Sequence, residues 1–478
     1  MRVEVKEIEL SEAGTELAVT GLFEGEELPS ALAAVPGAAE AKAGFRKLAL
    51  LHPPRSARVL VIGLGKREEF GPERARVAAA LAAKEAAGME AGTLAWALPT
   101  GGGDAGTLEG LITGTILGSY RFERFLSQDP DHPSPPGLSS LTLLGDEGLA
   151  GAAEEARIGA EAQNRARDLQ SLPSNLATPS FLAARGEEIA AAHDTVSAEV
   201  LGRDEIAAKQ MGGLLAVAQG SVEEPQLIVL RYRGGGQGPT LGLVGKGVTF
   251  DTGGISIKPS AGMHEMKMDM SGAAAVLEAV AAIAELGLAV DLVAVIPATE
   301  NMPSATAIKP GDIITQYNGK TVEVNNTDAE GRLILADALA YAVELGAERL
   351  IDLATLTGAV LVALGSTYAA VISNDDELAG EVVQAGERTG ELAWRLPLHP
   401  EYKELIKGTV ADLTNVSAKR KAGTIYAGSF LEEFIGTTPW VHLDIAGTAW
   451  DVGREYTGEG ASGYGVRLLV ELARRLAA

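Results

Sequence analysis

The chain has 478 residues, more than one hydrophobic core usually supports, and 46% of them are hydrophobic, so we expect a compact protein of two or three domains. With 40 basic and 64 acidic residues the formal charge is -24, which argues against nucleic acid as a partner, and the lack of cysteine excludes disulfides, thiolate metal ligands and a thiol nucleophile. No apolar run reaches the ~20 residues of a membrane span and the N-terminus does not resemble a signal peptide, so we expect a cytoplasmic protein without a membrane partner.

The first part of the chain predicts a small α/β domain over residues 1–146. Short apolar stretches typical of strands, such as 58–65 and 141–146, are separated by alanine-rich stretches typical of helices. Residues 127–137 are rich in proline and small polar side chains, so they predict an exposed loop within this domain.

The next stretch, residues 147–170, predicts one long connecting helix because it is rich in alanine and glutamate. Over residues 171–478, near-continuous apolar strands alternate with helices, as expected for parallel strands that are covered on both faces. The predicted fold class is therefore α/β: a small N-terminal domain joined by a long helix to a larger domain with a mostly parallel sheet and helices on both faces. In such a sheet the functional site lies at the carboxyl ends of the strands.

Two glycine-rich stretches invite a nucleotide-binding interpretation, but both lack required residues. The stretch 63–68 follows a strand, yet Glu68 stands where a dinucleotide-binding turn requires glycine. The GKG at 245–247 lacks the first glycine of a P-loop, which is Thr240 here, and Gly247 replaces the hydroxyl residue that binds magnesium. We therefore predict no nucleotide site at either place.

Two lysines and two aspartates lie close together in a glycine-rich passage, residues 245–276, that follows an apolar strand. These residues are Lys246, Asp251, Lys258 and Asp269. Taken alone, the passage has two interpretations that remain open: a pair of surface salt bridges, which contribute little stability, or a functional cluster.

A second acidic stretch, NNTDAEGRL at 325–333, lies between a predicted strand and a predicted helix. Its Asp328 and Glu330 have an ordinary interpretation as an N-cap and a first-turn acid of that helix. That interpretation does not explain why two more aspartates and two lysines follow another strand. If Asp251, Asp269, Asp328 and Glu330 converge, their formal charge of minus four would be balanced by two divalent cations such as manganese, magnesium or zinc.

The passage GKGVTFDTGGISIKP together with NTDAEGRL resembles the leucyl aminopeptidase family, the cytosol aminopeptidases that use two metal ions. The likeness runs from about residue 165 to the C-terminus and includes ATLTGA at 354–359, ADLTN at 411–415 and the strand WVHLDIAG. The stretch 460–469 fits the family less closely, and the N-terminal domain matches only in broad pattern.

The resemblance implies two metal ions, manganese or zinc, that share two bridging carboxylates. The implied ligands of one ion are Asp251, Asp328 with its backbone carbonyl, and Glu330. The implied ligands of the other are Lys246, Asp251, Asp269 and Glu330. A lysine can ligate only as the neutral amine, so burial and the adjacent cations would have to lower the pKa of Lys246 strongly.

The resemblance also implies a reaction: removal of the N-terminal residue, preferably leucine or another apolar residue, from peptides. A water bridging the metals is the nucleophile and Lys258 stabilises the oxyanion. A bicarbonate at Arg332, next to Gly331 and Leu333 at the start of a helix, is the general base. The residues implied to contact the substrate are Met266, Asp269, Leu356 and Gly358. Asp269 would pair with the free α-amine, which explains the restriction to N-termini.

Other functions remain open at this point. A magnesium-dependent phosphoryl-transfer enzyme also gathers carboxylates, although it has little use for a lysine ligand. A binding or regulatory protein with a vestigial site is a further alternative. None of the six histidines has paired metal-ligand spacing, and only His264, between the charged motifs, is of interest. The resemblance implies a homohexamer whose partners are peptides with a free N-terminus.

Overall fold

The computed structural model describes residues 1–54, 57–99, 104–127, 137–419 and 421–477. The chain forms two compact units: unit 1 comprises Met1–Asn164 and Gly453–Gly458, and unit 2 comprises Arg165–Val452 and Glu459–Ala478. The loop predicted at 127–137 lies outside the described residues except for its two ends. The predicted domain boundaries at 146 and 170 stay predictions.

Unit 1 is built on one six-stranded sheet in the order β1-β6-β5-β2-β4-β3, parallel except for the β3–β4 pair. Its strands are β1 Arg2–Lys6, β2 Leu17–Phe23, β3 Leu48–Leu51, β4 Arg58–Gly65, β5 Thr93–Ala97 and β6 Ser140–Leu144. Its helices are α1 Ser30–Ala33, α2 Pro72–Gly88 and α3 Ala105–Gly118, and α4 Ala150–Ser171 begins in this unit. Tyr456, from the later segment, is buried in the core of this unit and its hydroxyl donates to Glu73 at 3.1 Å.

A row of glycines on α3 lets this helix approach α2 closely. Gly110, Gly114 and Gly118 are four residues apart and therefore share one face of the helix. A methyl group at Gly114 would lie 2.1 Å from the carbonyl oxygen of Arg76, and one at Gly110 would lie 2.5 Å from that of Pro72. The backbones of the two helices thus occupy the space that any side chain on this face would need.

We predict that Gly114→Ala lowers the stability of unit 1 by about 1–3 kcal/mol, because the added methyl group must push α3 away from α2. Hydrogen exchange of the amides in unit 1 during urea titration measures the change. Gly88→Ala is the matched control, since nothing lies within 4 Å of the position that its methyl group would take. Equal effects of the two substitutions would contradict the role given to this glycine face.

Unit 2 contains a nine-stranded sheet and a small three-stranded sheet. The strands are β7 Val196–Leu201, β8 Gln226–Arg233, β9 Leu241–Gly245, β10 Gly247–Asp251, β11 Asp291–Asn301, β12 Asp312–Thr315, β13 Thr321–Val324, β14 Arg349–Ala354, β15 Ala369–Ser373, β16 Ala393–Arg395, β17 Leu413–Thr414 and β18 Trp440–Asp444. The helices are α5 Pro179–Ala192, α6 Arg203–Ala208, α7 Gly212–Ala218, α8 Ser271–Glu285, α9 Gly331–Glu344, α10 Gly358–Leu364, α11 Asp376–Thr389, α12 Gly423–Glu432 and α13 Val466–Ala477. A 3-10 helix spans Met263–Met270.

The large sheet runs in the order β16-β15-β18-β14-β9-β11-β8-β7, with β10 also paired to β11. Its centre is parallel, whereas β7, β8 and the β15–β18 pair are antiparallel. Helices α5, α8, α11 and α13 pack on one another over one face, and α7, α9, α10 and α12 do so over the other. The predicted α/β fold class, with its long helix α4 and doubly covered sheet, is confirmed.

Strand β9 is buried along its whole length, and β11 and β14 are buried along most of theirs, which explains their near-continuous apolar sequences. Strand β14 ends at Ala354. The next residue, Thr355, lies outside the sheet, and its hydroxyl donates to Asp269 Oδ1 at 2.7 Å. Within the described part of the chain, no helix is both long enough and apolar enough to cross a bilayer.

Candidate metal centre

The candidate site lies where the central parallel strands end. Lys246 follows β9 directly, Asp251 is the last residue of β10, and Thr355 follows β14. Because β9 pairs in parallel with β14 and also with β11, and β11 with β10, the residues after these strands emerge at the same edge of the sheet. The sheet topology therefore gathers residues that are as much as 109 positions apart in the chain.

The remaining carboxylates come from two short segments beside that edge. Asp269 lies in the 3-10 helix before α8, and Asp328 and Glu330 lie in the turn between β13 and α9. Glu330 occupies the N-cap position of α9, but its side chain makes no capping hydrogen bond. The ordinary interpretation, with Asp328 as the N-cap and Glu330 as a first-turn acid, is therefore wrong, because Glu330 itself occupies the N-cap position and directs its carboxylate to Lys246.

Two lysine ammonium groups connect the four carboxylates. Lys246 Nζ lies 2.8 Å from both Asp269 Oδ1 and Glu330 Oε1. Lys258 Nζ lies 2.8 Å from Asp251 Oδ2 and 2.5 Å from Asp328 Oδ1. All six side chains are buried except those of Lys258 and Asp328, which are 22% and 31% exposed. Surface salt bridges do not describe this arrangement.

The carboxylates carry more negative charge than the two ammonium groups balance. Burial raises the pKa of Asp269 to about 8, although the nearby Lys246 opposes that shift. Burial, together with the negative charge of Glu330, also raises the pKa of Asp251 to about 6. The pKa values of these carboxyl groups rise because burial and the neighbouring carboxylates outweigh the attraction of the two lysines.

The geometry of these residues fits a divalent cation. One carboxylate oxygen from each of Asp251, Asp328 and Glu330 lies within 4.8 Å of the other two. The buried Oδ2 of Asp269 has no hydrogen-bond partner among the described residues, so it is available as a ligand. Carboxylate oxygens with one amine nitrogen suit manganese or zinc.

The carboxylates around Lys246 favour the protonated, charged form of its amine. Burial disfavours its charge, but the carboxylates of Asp269, Glu330 and Asp251 outweigh burial and raise its pKa. Lys246 Nζ also donates to the carbonyl oxygen of Thr355 at 3.0 Å, which fixes the position of the nitrogen. A cation at this position would have to displace the proton and take over its attraction to the carboxylates.

Arg332, in the first turn of α9, is 4% exposed. Its Nη1 donates to the carbonyl oxygen of Asn415 at 2.7 Å, and the guanidinium lies 5.3 Å from the ring centroid of Tyr426. Its buried Nε has no hydrogen-bond partner within the described ranges. A buried guanidinium with an unpartnered donor is a group that can bind a small anion.

The implied substrate residues flank the cluster. Met266 is half-buried in the 3-10 helix that carries Asp269, and Gly358 is exposed at the start of α10. The backbone N–H of Leu356 donates to Asp444 Oδ1 at 3.2 Å, so only its carbonyl remains as a candidate substrate contact. His264 is exposed and does not join the metal-ligating group found among the described residues.

Sequence reasoning missed three buried residues that hold the site together. Asn301 donates to Asp251, Thr355 binds both Asp269 and Lys246, and Asn415 holds Arg332. All three share a signal that could have identified them, since each is a polar residue at or just after the end of a strand. Asn301 is the last residue of β11, Thr355 follows β14 and Asn415 follows the short strand β17.

Comparison with known proteins identifies the family of the chain. A model of the cytosol aminopeptidase family, catalytic domain, matches residues 164–470, more than half of the chain. The chain belongs to the cytosol aminopeptidase family. A model of the N-terminal domain of the same family matches residues 19–129.

Individual relatives cover nearly the whole chain. A probable cytosol aminopeptidase of Roseiflexus castenholzii is 47% identical over 492 residues, which cover 99% of each chain. One of Geobacter sp. strain M21 is 44% identical and covers 99% of this chain and all of the relative.

Two solved structures, each 34% identical to the chain, share its fold. A mutant of tomato leucine aminopeptidase has a TM-score of 0.89 and covers 99% of this chain and 96% of its own. The bottromycin maturation enzyme BotP in complex with Mn has a TM-score of 0.88 and covers 97% of this chain and 100% of its own. The predicted resemblance and the prediction of a hydrolase that acts on peptide bonds are confirmed, and the family supports aminopeptidase activity.

We predict that Gly331→Ala weakens divalent-cation binding by roughly 10–100-fold while leaving the fold intact. A methyl group at Gly331 would lie 2.6 Å from Lys246 Cε, so the end of the lysine side chain would have to shift from its position between the two carboxylates. The helix itself should not suffer, because alanine is the better helix former. Calorimetric titration of the metal-free protein with Mn2+, alongside circular dichroism, measures both properties.

Gly380→Ala on α11 is the matched control for this substitution. Nothing lies within 4 Å of the position that its methyl group would take, so it should stabilise the protein by up to about 1 kcal/mol and leave Mn2+ affinity unchanged. An unchanged Mn2+ affinity in Gly331→Ala would show that Lys246 tolerates displacement and is not needed at its present position.

Proposed function

We propose that this chain removes the N-terminal residue, preferably leucine or another apolar residue, from peptides and uses two divalent metal ions to do so. The observation that carries the proposal is the buried cluster of four carboxylates and two lysines at the carboxyl edge of the parallel sheet. Membership of the cytosol aminopeptidase family and the similarity to BotP, which was solved in complex with Mn, support it. Manganese or zinc suits the donor set.

The residues proposed to hold the metal ions are those that the sequence motifs named. One ion would use Asp251, Asp328 and Glu330, whose oxygens already lie within 4.8 Å of one another. The other would use Lys246, Asp269 and the two shared carboxylates. When bound, two such cations activate a water molecule near neutral pH and polarise the scissile carbonyl.

Lys258 is proposed to stabilise the oxyanion that forms at that carbonyl. Burial opposes its charge, but the carboxylate of Asp251 outweighs burial and raises its pKa, so the ammonium keeps its proton. With 22% of its side chain exposed, Lys258 is partly accessible from solvent. An ammonium held in place before the reaction costs no reorganisation as charge develops.

Arg332 is proposed to bind bicarbonate together with the backbone N–H of Gly331; the N–H of Leu333, which the sequence motif also named, already donates to the carbonyl oxygen of Glu330 at 2.9 Å. The side chain of Arg332 is fixed by Asn415 and Tyr426, while its buried Nε has no partner among the described residues. All four carboxylates of the cluster are committed as ligands in this proposal, so none of them can move the proton. When bound, bicarbonate supplies the general base that the chain itself lacks.

Asp269 is proposed to select peptides with a free N-terminus. Its Oδ1 is held by Lys246 and Thr355, whereas its Oδ2 has no partner among the described residues. A substrate ammonium or amine can donate to a second lone pair of this oxygen, beside the metal ion that the oxygen would ligate. An acetylated N-terminus lacks the amine and could not make this contact.

We predict that the protein loaded with Mn2+ cleaves a leucyl peptide with a free N-terminus and not its N-acetylated form. The rate should fall when bicarbonate is removed from the buffer, because Arg332 would then hold no base. Hydrolysis of both peptides, with and without bicarbonate, measures these differences.

Each outcome of this assay is informative. Cleavage of the acetylated peptide at a similar rate would contradict the role of Asp269. Cleavage that does not depend on bicarbonate would contradict only the role given to Arg332. If the protein cuts neither peptide, the aminopeptidase proposal itself is wrong for this chain.

We predict that Lys258→Ala lowers kcat by about 100- to 1,000-fold with a much smaller change in KM, because its contact strengthens only as the oxyanion forms. Steady-state kinetics on the leucyl peptide separate the two constants. Lys309→Ala is the matched control, since Lys309 is 69% exposed and pairs only with its neighbour Asp312 among the described residues. Equal losses in kcat and in apparent affinity would argue against oxyanion stabilisation.

We also propose, from the family, that the protein acts in the cytoplasm as a homohexamer. The names of its relatives as cytosol aminopeptidases support the location. Sedimentation of a stable monomer at micromolar concentration would contradict the assembly.

A further inference from the structure

Asn301 is a buried residue that contacts the proposed metal centre without being one of its ligands. It is the last residue of β11 and lies directly opposite Asp251, the last residue of the neighbouring parallel strand β10. Its backbone carbonyl accepts hydrogen bonds from the N–H and the hydroxyl of Thr252, at 3.0 and 2.7 Å. Strand pairing and these two bonds fix the backbone from which its side chain extends.

The side-chain amide of Asn301 donates into the carboxylate cluster. Its Nδ2 lies 2.8 Å from Asp251 Oδ1, 3.0 Å from the carbonyl oxygen of Thr327 and 3.5 Å from Glu330 Oε2. All three neighbours are acceptors, so only the orientation that directs the NH2 group towards them avoids repulsion. One amide thus connects Asp251 with the turn that carries Asp328 and Glu330.

These contacts decide which oxygen of each carboxylate faces the cluster. Asp251 Oδ1 is occupied by Asn301 and by the N–H of Gly253 at 2.8 Å, which leaves Oδ2 for Lys258. Glu330 Oε2 lies towards Asn301, which leaves Oε1 for Lys246. The oxygens that Asn301 does not contact are the ones that meet the positive charges.

A neutral donor suits this position better than a cationic one. A lysine or arginine in place of Asn301 would also orient the two carboxylates, but its charge would neutralise them and compete with a metal ion. The amide orients the oxygens and leaves their negative charge for the cation.

We propose that Asn301 is a positioning residue of the metal centre, which fixes Asp251 and Glu330 in the orientation that binds a divalent cation. The inference rests on the proposed function, because it concerns the same metal ions. According to this inference, the metal centre requires one uncharged side chain in addition to its ligands.

Two substitutions test the proposal. Asn301→Leu keeps the approximate size of the side chain and removes the donors, and Asn301→Asp keeps its shape and replaces the donors with a negative charge. Calorimetric titration of the metal-free proteins with Mn2+ gives the affinity, the EPR spectrum of the bound Mn2+ reports its coordination, and circular dichroism reports folding. Asn374→Asp is the matched control. The Asn374 side chain makes two hydrogen bonds, both with backbone groups, of Thr438 and Trp440, and the residue is exposed.

We expect both Asn301 variants to bind Mn2+ about 10–100-fold more weakly than the unmodified protein, with an altered EPR spectrum, and the control to bind it equally well. The two variants distinguish positioning from charge, because an added carboxylate by itself should tighten cation binding. Tighter binding by Asn301→Asp, or unchanged binding by a folded Asn301→Leu, would overturn the proposal. If Asn301→Leu does not fold, Asn301→Asp decides the question alone.

The same experiment separates this inference from the proposed function. If the unmodified protein binds no Mn2+, the proposed metal centre fails and takes the role of Asn301 with it. If the unmodified protein binds Mn2+ and both Asn301 variants bind it as tightly, the metal centre stands and only the role of Asn301 is wrong.

Discussion

An excess of buried negative charge is the constraint on which the rest of the catalytic unit depends. Four carboxylates meet at the end of the sheet, and two lysines balance half of their formal charge. Taking such groups out of water is unfavourable unless every oxygen has a defined partner. The surrounding structure supplies these partners through Thr355, Asn301 and the backbone N–H of Gly253, and it leaves Asp269 Oδ2 uncommitted.

The parallel sheet makes this arrangement possible because it provides several chain ends at one edge. Strands β9, β10, β11 and β14 all end towards the carboxyl edge of the sheet. Strand β10 contributes the carboxylate of Asp251, and each of the others contributes, at or just after its end, a residue that binds or orients a carboxylate. The turn before α9 must then come so close that Gly331 has no room for a side chain beside Lys246. Gly331 and Lys246 are therefore important both for the charged cluster and for how closely the backbone packs beside it.

Much of the fold and the cluster could be predicted from the sequence, because both leave local signals. Apolar runs mark the covered strands, and charged residues after them stand out, as Lys246 and Asp251 do. Asn301 and Asn415 also lie at or just after the end of a strand, but they carry no charge, so this position is a weaker local signal than the charged residues give. The inclusion of Gly453–Gly458 in unit 1 could not be predicted either, because it follows from contacts such as that of Tyr456 with Glu73, which are 383 residues apart.

That late segment has a consequence for how the gene could be divided or recombined. The chain passes between the two units three times, after residues 164, 452 and 458. Unit 1 is therefore not formed by one continuous N-terminal segment. If only residues 1–164 were replaced by another sequence, Tyr456 would pack against a different core. It would also lose the Glu73 carboxylate that accepts the hydrogen bond from its hydroxyl. A designer who wishes to replace the unit therefore has to replace both segments.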